Sequence, residues 1–304
     1  MAMKSTKFLV VKPALLAALA IFAAACGSTS NAAAEINGRK ISRAELEQTI
    51  AELGEVGQAP IVDGEVDGET VRSILSALVQ GAATDQLLKE YAEQITQADR
   101  DEIEAQISQN TDTSTYTQHL KDLIIKLNAG SLALARVKAP DAKKAAEMYN
   151  KSPASLGVLC ARHLVVKTEA TANEALAKFA DGAEFAALAG EFSIEPKANE
   201  SGGALGGADN VCITLTEYQS GFDPGFTAGA LLAKPGVAYG PVKSSFGYHV
   251  IYVRPFVEVA EDVSKLLATN AGANLLTGLI ATSKINVDSA YGVWNAARGG
   301  IVTS

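Results

Sequence analysis

Two strand-forming segments, each carrying a histidine, constrain the fold of this chain more than any other feature. His163 lies in the segment 160–166, and His249 lies in the segment 246–253. β-Branched and aromatic residues dominate both segments, and these residue types favour strands. If the strands are antiparallel neighbours, the two imidazoles come together as a small active site. The alternative is that each histidine is a core or edge residue satisfied by backbone groups.

The first 26 residues have the pattern of an export signal. Three lysines precede the apolar stretch 14–25, which is too short to span a membrane as a helix. Alanines at 23–25, directly before Cys26, resemble a bacterial lipobox. We expect residues 1–25 to be a lipoprotein signal peptide and Cys26 to be the lipidated first residue of the mature protein. The alternative is ordinary cleavage that leaves Cys26 free.

The charge of the chain argues against some classes of partner. Removing residues 1–25 takes away three lysines and no acidic residue, so the formal charge changes from −8 to −11. A chain this acidic is not expected to bind nucleic acid or to be held electrostatically on anionic lipid. We therefore expect an extracytoplasmic protein attached to the bacterial cell membrane by its acyl chains. With 304 residues, 48% of them apolar, two or more domains are expected.

Cys160 and Cys212 are the other two cysteines of the chain. Outside the cytoplasm disulfides persist, and two remaining thiols favour a bridge between them. The alternative is two independent buried thiols, because sequence does not show whether two Cα atoms come within bonding reach. We predict the disulfide.

The N-terminal half is predicted to be helical. Small and polar residues indicate a tether at 26–34, and an Asn-Gly turn within 35–41 indicates a hairpin, followed by a capping-box pattern that opens a helix. Amphipathic spacing predicts further helices at 69–94, 97–108, 116–134 and 141–150. The lone His119 is most simply a surface residue on its helix. We interpret residues 35–150 as an N-terminal helical domain.

From residue 156 the pattern changes to alternating strands and helices. Strands are predicted at 156–166, 239–242 and 247–254, and helices at 171–179, 183–191 and 224–232. A loop rich in Gly, Asn and Ser covers 195–210. Another helix is predicted at 259–282, and a tail with a possible strand at 285–287 follows it.

Six blocks within 156–255 stand out by their order. They are Ala-Arg-His-Leu-Val-Val at 161–166, Gly-Ala-Glu-Phe-Ala-Ala-Leu-Ala at 182–189, Gly-Gly-Ala-Leu-Gly at 202–206, Phe-Asp-Pro-Gly-Phe at 222–226, Lys-Pro-Gly at 234–236, and the stretch from Gly-Pro-Val to Phe-Gly-Tyr-His at 240–249. Together they resemble the parvulin family of peptidyl-prolyl isomerases. The Asn-Gly-Arg-Lys-Ile-Ser start, the tail 287–294 and the lipobox are similar to exported foldases of the PrsA and SurA type.

The resemblance implies an α+β fold. Residues 156–255 would form a four-stranded antiparallel sheet surrounded by helices, with the active cleft on one sheet face. The arms 35–150 and 256–304 would form a second, mainly helical and chaperone-like domain. Helices on both flanks of an inserted module commonly need each other to bury their apolar faces.

The resemblance also implies the site residues. The catalytic positions match His163, His249, Glu195 and Ser244, and the apolar floor that receives the proline ring matches Leu205, Phe222 and Phe226. The sequence departs from the family pattern in three places: Glu195 stands where aspartate or cysteine is usual, Ala204 replaces an acid, and an insertion after residue 206 carries Cys212.

Rotation about the peptide bond before proline makes and breaks no covalent bond. The barrier of roughly 20 kcal/mol comes from amide resonance, and the uncatalysed step takes ~10 to 100 s. A catalyst therefore needs an apolar pocket, a medium that disfavours the polar planar amide, and a few hydrogen bonds. We predict that His163 and His249 hydrogen-bond each other with at least one ring neutral, while Glu195 and Ser244 fix their tautomers. No metal, cofactor or covalent intermediate is expected.

Other readings of the same residues fail. Cys160 and His163 are three apart on a strand, so their side chains point to opposite faces and cannot form a thiol nucleophile with its base. Three histidines at long separations give no zinc-ligand spacing. The glycine-rich stretch 202–207 lacks the lysine and the strand-to-helix setting of a phosphate loop.

We therefore expect an extracytoplasmic peptidyl-prolyl cis-trans isomerase that assists the folding of exported proteins, with unfolded exported chains as partners. The main alternative is a holdase chaperone or binding lipoprotein with weak or no isomerase activity. A third reading is a structural lipoprotein of the envelope.

Overall fold

The structure is a computed structural model that describes residues 31–62, 65–205 and 212–304. The expected signal peptide at 1–25 and the expected lipidation at Cys26 lie outside these residues. Within the described parts, no helix combines the length and the apolar character needed to cross a membrane. Helices and strands are mixed along the chain, and the predicted α+β class is confirmed.

The strands are β1 Ala32–Ile36, β2 Arg39–Ser42, β3 Ile61–Val62, β4 Glu65–Val66, β5 Val158–Leu159, β6 Ala161–Val166, β7 Ile213–Thr214, β8 Ala238–Ser244, β9 Gly247–Val253, β10 Ile285–Val287, β11 Val293–Asn295 and β12 Gly300–Val302. The helices are α1 Arg43–Glu55, α2 Gly68–Glu90, α3 Gln97–Asn110, α4 Gln118–Leu134, α5 Ala142–Lys151, α6 Glu169–Ala180, α7 Phe185–Phe192, α8 Ala198–Ser201, α9 Leu215–Gly221, α10 Pro224–Leu232 and α11 Phe256–Thr282, and a 3-10 helix spans Pro153–Leu156.

The two ends of the described chain meet in one small sheet. β1 pairs with β2 through the Asn37-Gly38 turn, where both residues have positive φ, and on its other edge β1 pairs with β10. The tether expected at 26–34 is therefore too long, because Ala33 and Ala34 are buried in β1. Ile280 and Ile301 from the C-terminal arm pack into the same core as α1 and α2.

The sheet of the module 156–255 has three strands among the described residues, in the antiparallel order β6-β9-β8, and not the expected four. On the outer edge of β6, pairing is limited to one bridge between Arg162 and Ala204. Gly202 and Gly203 directly before it have φ of 58° and 77°. This left-handed backbone cannot extend a ladder, and residues 206–211 lie outside the described parts.

The two faces of this sheet bury different cores. One face packs on α6 and α7; we call this the α6–α7 core, and its buried residues are Leu164, Val166, Ala172, Ala175, Phe185, Leu188, Ala189 and Val250. The opposite face joins a core that also contains residues of the arms, which we call the shared core. Its buried members include Cys160, Cys212, Tyr218, Phe226 and Ile251 from the module and Leu87, Leu134, Tyr149, Val263 and Leu275 from the arms.

Several local expectations differ from the structure. The strand expected at 156–166 begins only at Val158, because Gly157 takes a left-handed conformation at φ 69° and lies so close to α11 that a Cβ would stand 1.8 Å from the Asn274 carbonyl oxygen. The strand is also divided at Cys160 into β5 and β6. The loop expected at 195–210 contains the short helix α8. Helix α11 is kinked at Asn270, and the tail forms the hairpin β11–β12.

Candidate active site

The two histidines lie on neighbouring strands and contact each other. In the antiparallel register His163 of β6 faces Ile251, and His249 of β9 faces Val165, so the histidines are diagonal neighbours on one sheet face. Their Nδ1 atoms are 3.1 Å apart, a hydrogen-bonding distance. The residues are only 7% and 4% exposed, so the contact is shielded from water.

Glu195 and Ser244 lie at opposite ends of this pair. The Nε2 atom of His163 is 2.9 Å from a carboxylate oxygen of Glu195, and the Nε2 atom of His249 is 2.7 Å from the hydroxyl of Ser244. The Ser244 oxygen also accepts a hydrogen bond from the Phe246 backbone N–H. The four predicted catalytic residues therefore form one continuous chain of hydrogen bonds.

One proton arrangement satisfies every contact in this chain with both rings neutral. Ser244 donates its hydroxyl proton to His249 Nε2, His249 donates from Nδ1 to His163 Nδ1, and His163 donates from Nε2 to the Glu195 carboxylate. This assignment follows from the donor and acceptor capacity of each group. Every ring nitrogen then has a partner, and the buried rings carry no charge.

The electrostatics of the site agree with that arrangement. Burial, and then the proximity of His163, lower the pKa of His249 from 6.5 to about 4, so this ring is neutral at neutral pH. The hydrogen bond from His163 lowers the pKa of Glu195, so its carboxylate is ionised. The Glu195 side chain is 45% exposed, and its charge stays in contact with solvent at the mouth of the site.

The predicted apolar floor lies directly against the histidines. The Phe226 ring centroid is 5.1 Å from that of His163 and 4.9 Å from that of His249. Phe226 itself is only 2% exposed, whereas Phe222 and Leu205 are half-buried. Phe222 and Leu205 therefore offer the accessible apolar surface, and Phe226 supports the rings from below.

The loop that departs from the family pattern at Ala204 is tied to β6. The His163 N–H donates to the Gly203 carbonyl, and the Arg162 guanidinium donates to the carbonyls of Ser201 and Gly202. A Cβ at Gly203 would lie 2.2 Å from the His163 carbonyl oxygen, so this close approach requires glycine. The turn thereby fixes the backbone on which His163 stands.

The insertion after residue 206 is attached to the shared core. Cys212 forms the predicted disulfide with Cys160, which is confirmed, and β7 pairs with β5. The helix α9 that follows was not expected, although Thr214 and Glu217 form a complete capping box at its start. Its Tyr218 stacks on Phe222 and Phe226, a contact that no sequence motif indicates.

Metal-binding geometry does not occur in the parts of the chain that the structure describes: no group of three or more His, Cys, Asp or Glu residues could hold an ion there. His119, the third histidine, is remote from the pair and contacts Glu52 at 2.7 Å.

Comparison with known proteins identifies the same module. Residues 165–255 match the family model described as Rotamase, PPIC-type PPIase domain. The Foldase protein PrsA of Clostridium kluyveri is 43% identical over 89 residues, which cover 29% of this chain and 24% of that relative's length. The Foldase protein PrsA of Caldanaerobacter subterraneus subsp. tengcongensis is 28% identical over 252 residues, covering 77% of this chain and 78% of the relative.

Among solved structures, PrsA from Bacillus subtilis is 20% identical, with 80% of this chain and 88% of that chain covered and a TM-score of 0.30. The family model covers most of the module 156–255, including Glu195, Ser244 and His249, and begins two residues after His163. The chain therefore carries a parvulin-type peptidyl-prolyl cis-trans isomerase domain and is similar to PrsA foldases over most of its length.

Proposed function

We propose that this chain is an extracytoplasmic foldase that accelerates cis-trans isomerisation of the bonds before proline in exported polypeptides. The observation that carries the proposal is the buried, hydrogen-bonded pair of His163 and His249 packed on Phe226. A neutral polar network over an aromatic floor suits a reaction in which an amide twists and no bond is broken.

The catalysis follows from the polarity of the site. The planar amide is stabilised by charge separation between its oxygen and nitrogen, and this stabilisation is lost as the bond rotates. A binding surface made of Phe222, Leu205 and uncharged imidazoles solvates that charge separation poorly. The twisted amide is therefore favoured over the planar one relative to water, and the barrier falls.

The hydrogen-bond chain keeps the site in this state. An imidazolium under the proline ring would favour the polar planar amide and attract water. The lowered pKa of His249 prevents this at neutral pH, and the Ser244 and Glu195 contacts hold both rings in one orientation. In this proposal the two histidines contact the substrate, and Glu195 and Ser244 orient them.

The arms would hold the client chain. We assign residues 35–150 and 256–304 to a mainly helical, chaperone-like domain, a division supported by the core that α1, α2, Ile280 and Ile301 share. The partners would be unfolded or partly folded exported polypeptides. The lipobox pattern before Cys26 supports a lipid anchor in the cell membrane.

A proline-tetrapeptide isomerisation assay on the chain from residue 26 onward tests the activity. We expect the wild type to exceed the uncatalysed rate and His249→Ala to lose most of that excess. His119→Ala is the matched control, because this exposed histidine lies outside the site, and it should match the wild type. A wild type no faster than the uncatalysed reaction refutes the isomerase and leaves the holdase reading.

The anchor needs its own experiment, because activity does not depend on it. Cys26→Ala expressed in a bacterial host should move the protein from the membrane fraction to the soluble extracytoplasmic fraction. The unlipidated variant should keep its isomerase activity. An unchanged membrane fraction would refute lipidation at Cys26 while leaving the isomerase proposal intact.

A further inference from the structure

Tyr218 lies beneath the proposed proline-binding floor. Its ring centroid is 5.0 Å from that of Phe222, with planes 26° apart, and 6.3 Å from that of Phe226, with planes 9° apart. Phe226 thus has the rings of Tyr218, His163 and His249 as neighbours. With 0% exposure, Tyr218 cannot touch a substrate itself.

The backbone of Tyr218 is fixed as firmly as its ring. The buried Thr227 hydroxyl donates to the Tyr218 carbonyl at 3.1 Å and joins α9 to α10, the helix that carries Phe226. Directly before α9, the disulfide from Cys160 to Cys212 and the β5–β7 pair hold this segment to the shared core. Tyr218 is therefore a rigid support.

The hydroxyl of Tyr218 contributes little to this support. It is buried, no hydrogen bond of normal geometry reaches it among the described residues, and its polar neighbour is the backbone of Ala161. A buried hydroxyl without a well-formed hydrogen bond adds little stability, so its removal should change stability little. Any function of Tyr218 must reside in the aromatic ring, which distinguishes it from a tyrosine kept for a polar contact.

We propose that Tyr218 is a positioning residue for the isomerase reaction: its buried ring holds Phe222, the nearer of its two aromatic neighbours, at the spacing from Phe226 that accepts a proline ring. The inference rests on the proposed function and assigns a role to the insertion, which the family pattern lacks. It acts on substrate binding through Phe222 and not on the histidine network.

The test compares Tyr218→Leu, Tyr218→Phe and the wild type in the tetrapeptide assay, with kcat and KM resolved. We expect Tyr218→Leu to raise KM about tenfold, since two ring contacts are lost, with kcat within about twofold of the wild type. Tyr218→Phe keeps both ring contacts and should match the wild type. The pH dependence set by His249 should be the same in all three proteins.

Tyr149→Leu is the matched control. Tyr149 is an equally buried tyrosine of the shared core, but its ring packs against Phe256 in a tilted arrangement and its hydroxyl donates to the Arg254 carbonyl. This variant should lose stability and keep the wild-type KM. Should both leucine variants raise KM equally, the effect is general core damage and the positioning role is refuted.

Two further measurements keep the test decisive. If Tyr218→Leu does not fold, Thr227→Val replaces it, because this nearly isosteric change removes only the hydrogen bond to the Tyr218 carbonyl and should also raise KM.

The second measurement is made in the Phe222→Leu background. There, Tyr218→Leu should raise KM by less than about twofold further, since its effect passes through Phe222. If the effects of Tyr218→Leu and Phe222→Leu on KM are fully additive, the proposal is overturned. It is also overturned if Tyr218→Phe raises KM as much as Tyr218→Leu does. An inactive wild type would instead indicate failure of the isomerase proposal itself.

Discussion

The two faces of the isomerase sheet differ in what they are made of and in what they touch. The α6–α7 core is wholly apolar and consists of residues from the module alone. The opposite face carries His163 and His249 and merges with the shared core, to which α2, α4, α5 and α11 of the arms contribute. One face therefore stabilises the module by itself. The opposite face, which we call the catalytic face because the proposed catalytic histidines lie on it, is completed by the rest of the chain.

This difference shows why the catalytic face needs extra fixation. Buried histidines destabilise a protein unless their nitrogens are paired, so the position of each ring must be defined closely. The disulfide and the stacked ring of Tyr218 lie on this face, and the turn around Gly203 fixes the β6 edge beside it. The α6–α7 face needs no such device, because apolar packing is less directional.

The largest expected effect is on stability, from loss of the disulfide. Cys160→Ala with Cys212→Ala opens a loop closed across a separation of 52 residues. In the chain-entropy model the folded state should lose about 4 kcal/mol. Denaturant unfolding of the double variant and of the oxidised and reduced wild type measures this. The comparison of the two faces fails if oxidised and reduced wild type unfold at the same denaturant concentration.

The next effect is a pH dependence that belongs to the catalytic face alone. As pH falls below the unfolded value of 6.5, an unfolded chain protonates His249, whereas the folded chain does so only near its lowered pKa of about 4. The unfolded state thus binds more protons in this window, and the free energy of unfolding should fall by about 3 kcal/mol between pH 6.5 and 4.

Urea unfolding at several pH values measures that loss for the wild type and for His249→Gln. The variant lacks the titrating group, so its stability should change less across the same window. Parallel curves for the two proteins would show that His249 is not the group responsible.

Sequence patterns located the histidine pair because its signals are local. The strand-forming runs around His163 and His249 predict neighbouring strands, and the alternation of side chains places both rings on one face. Helix α10 was predicted with its observed bounds, since Asp223 caps it and Pro224 begins it.

The remaining features depend on contacts between distant parts of the chain. No local pattern pairs β1 with β10, since their residues lie far apart in sequence. Tyr218 was missed for the same reason: its proposed role depends on the positions of Phe222 and Phe226 in space, and none of the six sequence blocks covers α9. The capping box of Thr214 and Glu217 was the available signal for that helix.

A matched pair of phenylalanines compares the faces directly. Phe226 is 2% exposed on the catalytic face, and Phe185 is 3% exposed in the α6–α7 core, where it stacks on Tyr252. Each leucine substitution should cost a similar 1–2 kcal/mol or so of stability. Phe226→Leu should also lower kcat/KM about 100-fold, equivalent to about 2.7 kcal/mol, because the histidines lose their support. Phe185→Leu should leave kcat/KM within about twofold of the wild-type value. Equal losses of kcat/KM in the two variants would mean that the two faces contribute alike to activity.

The smallest effect is expected at the exposed end of the hydrogen-bond chain. Glu195→Gln keeps an oxygen that can accept from His163 Nε2 but removes the charge. Because the side chain is 45% exposed, water already screens that charge, and kcat/KM should fall only about fivefold, or about 1 kcal/mol. Glu200→Gln, an exposed glutamate on α8 next to Lys197, is the control and should have no effect. A loss at Glu195 as large as that of Phe226→Leu would mean that the carboxylate acts on the substrate itself, and the neutral-network mechanism would have to be replaced by one that uses its charge.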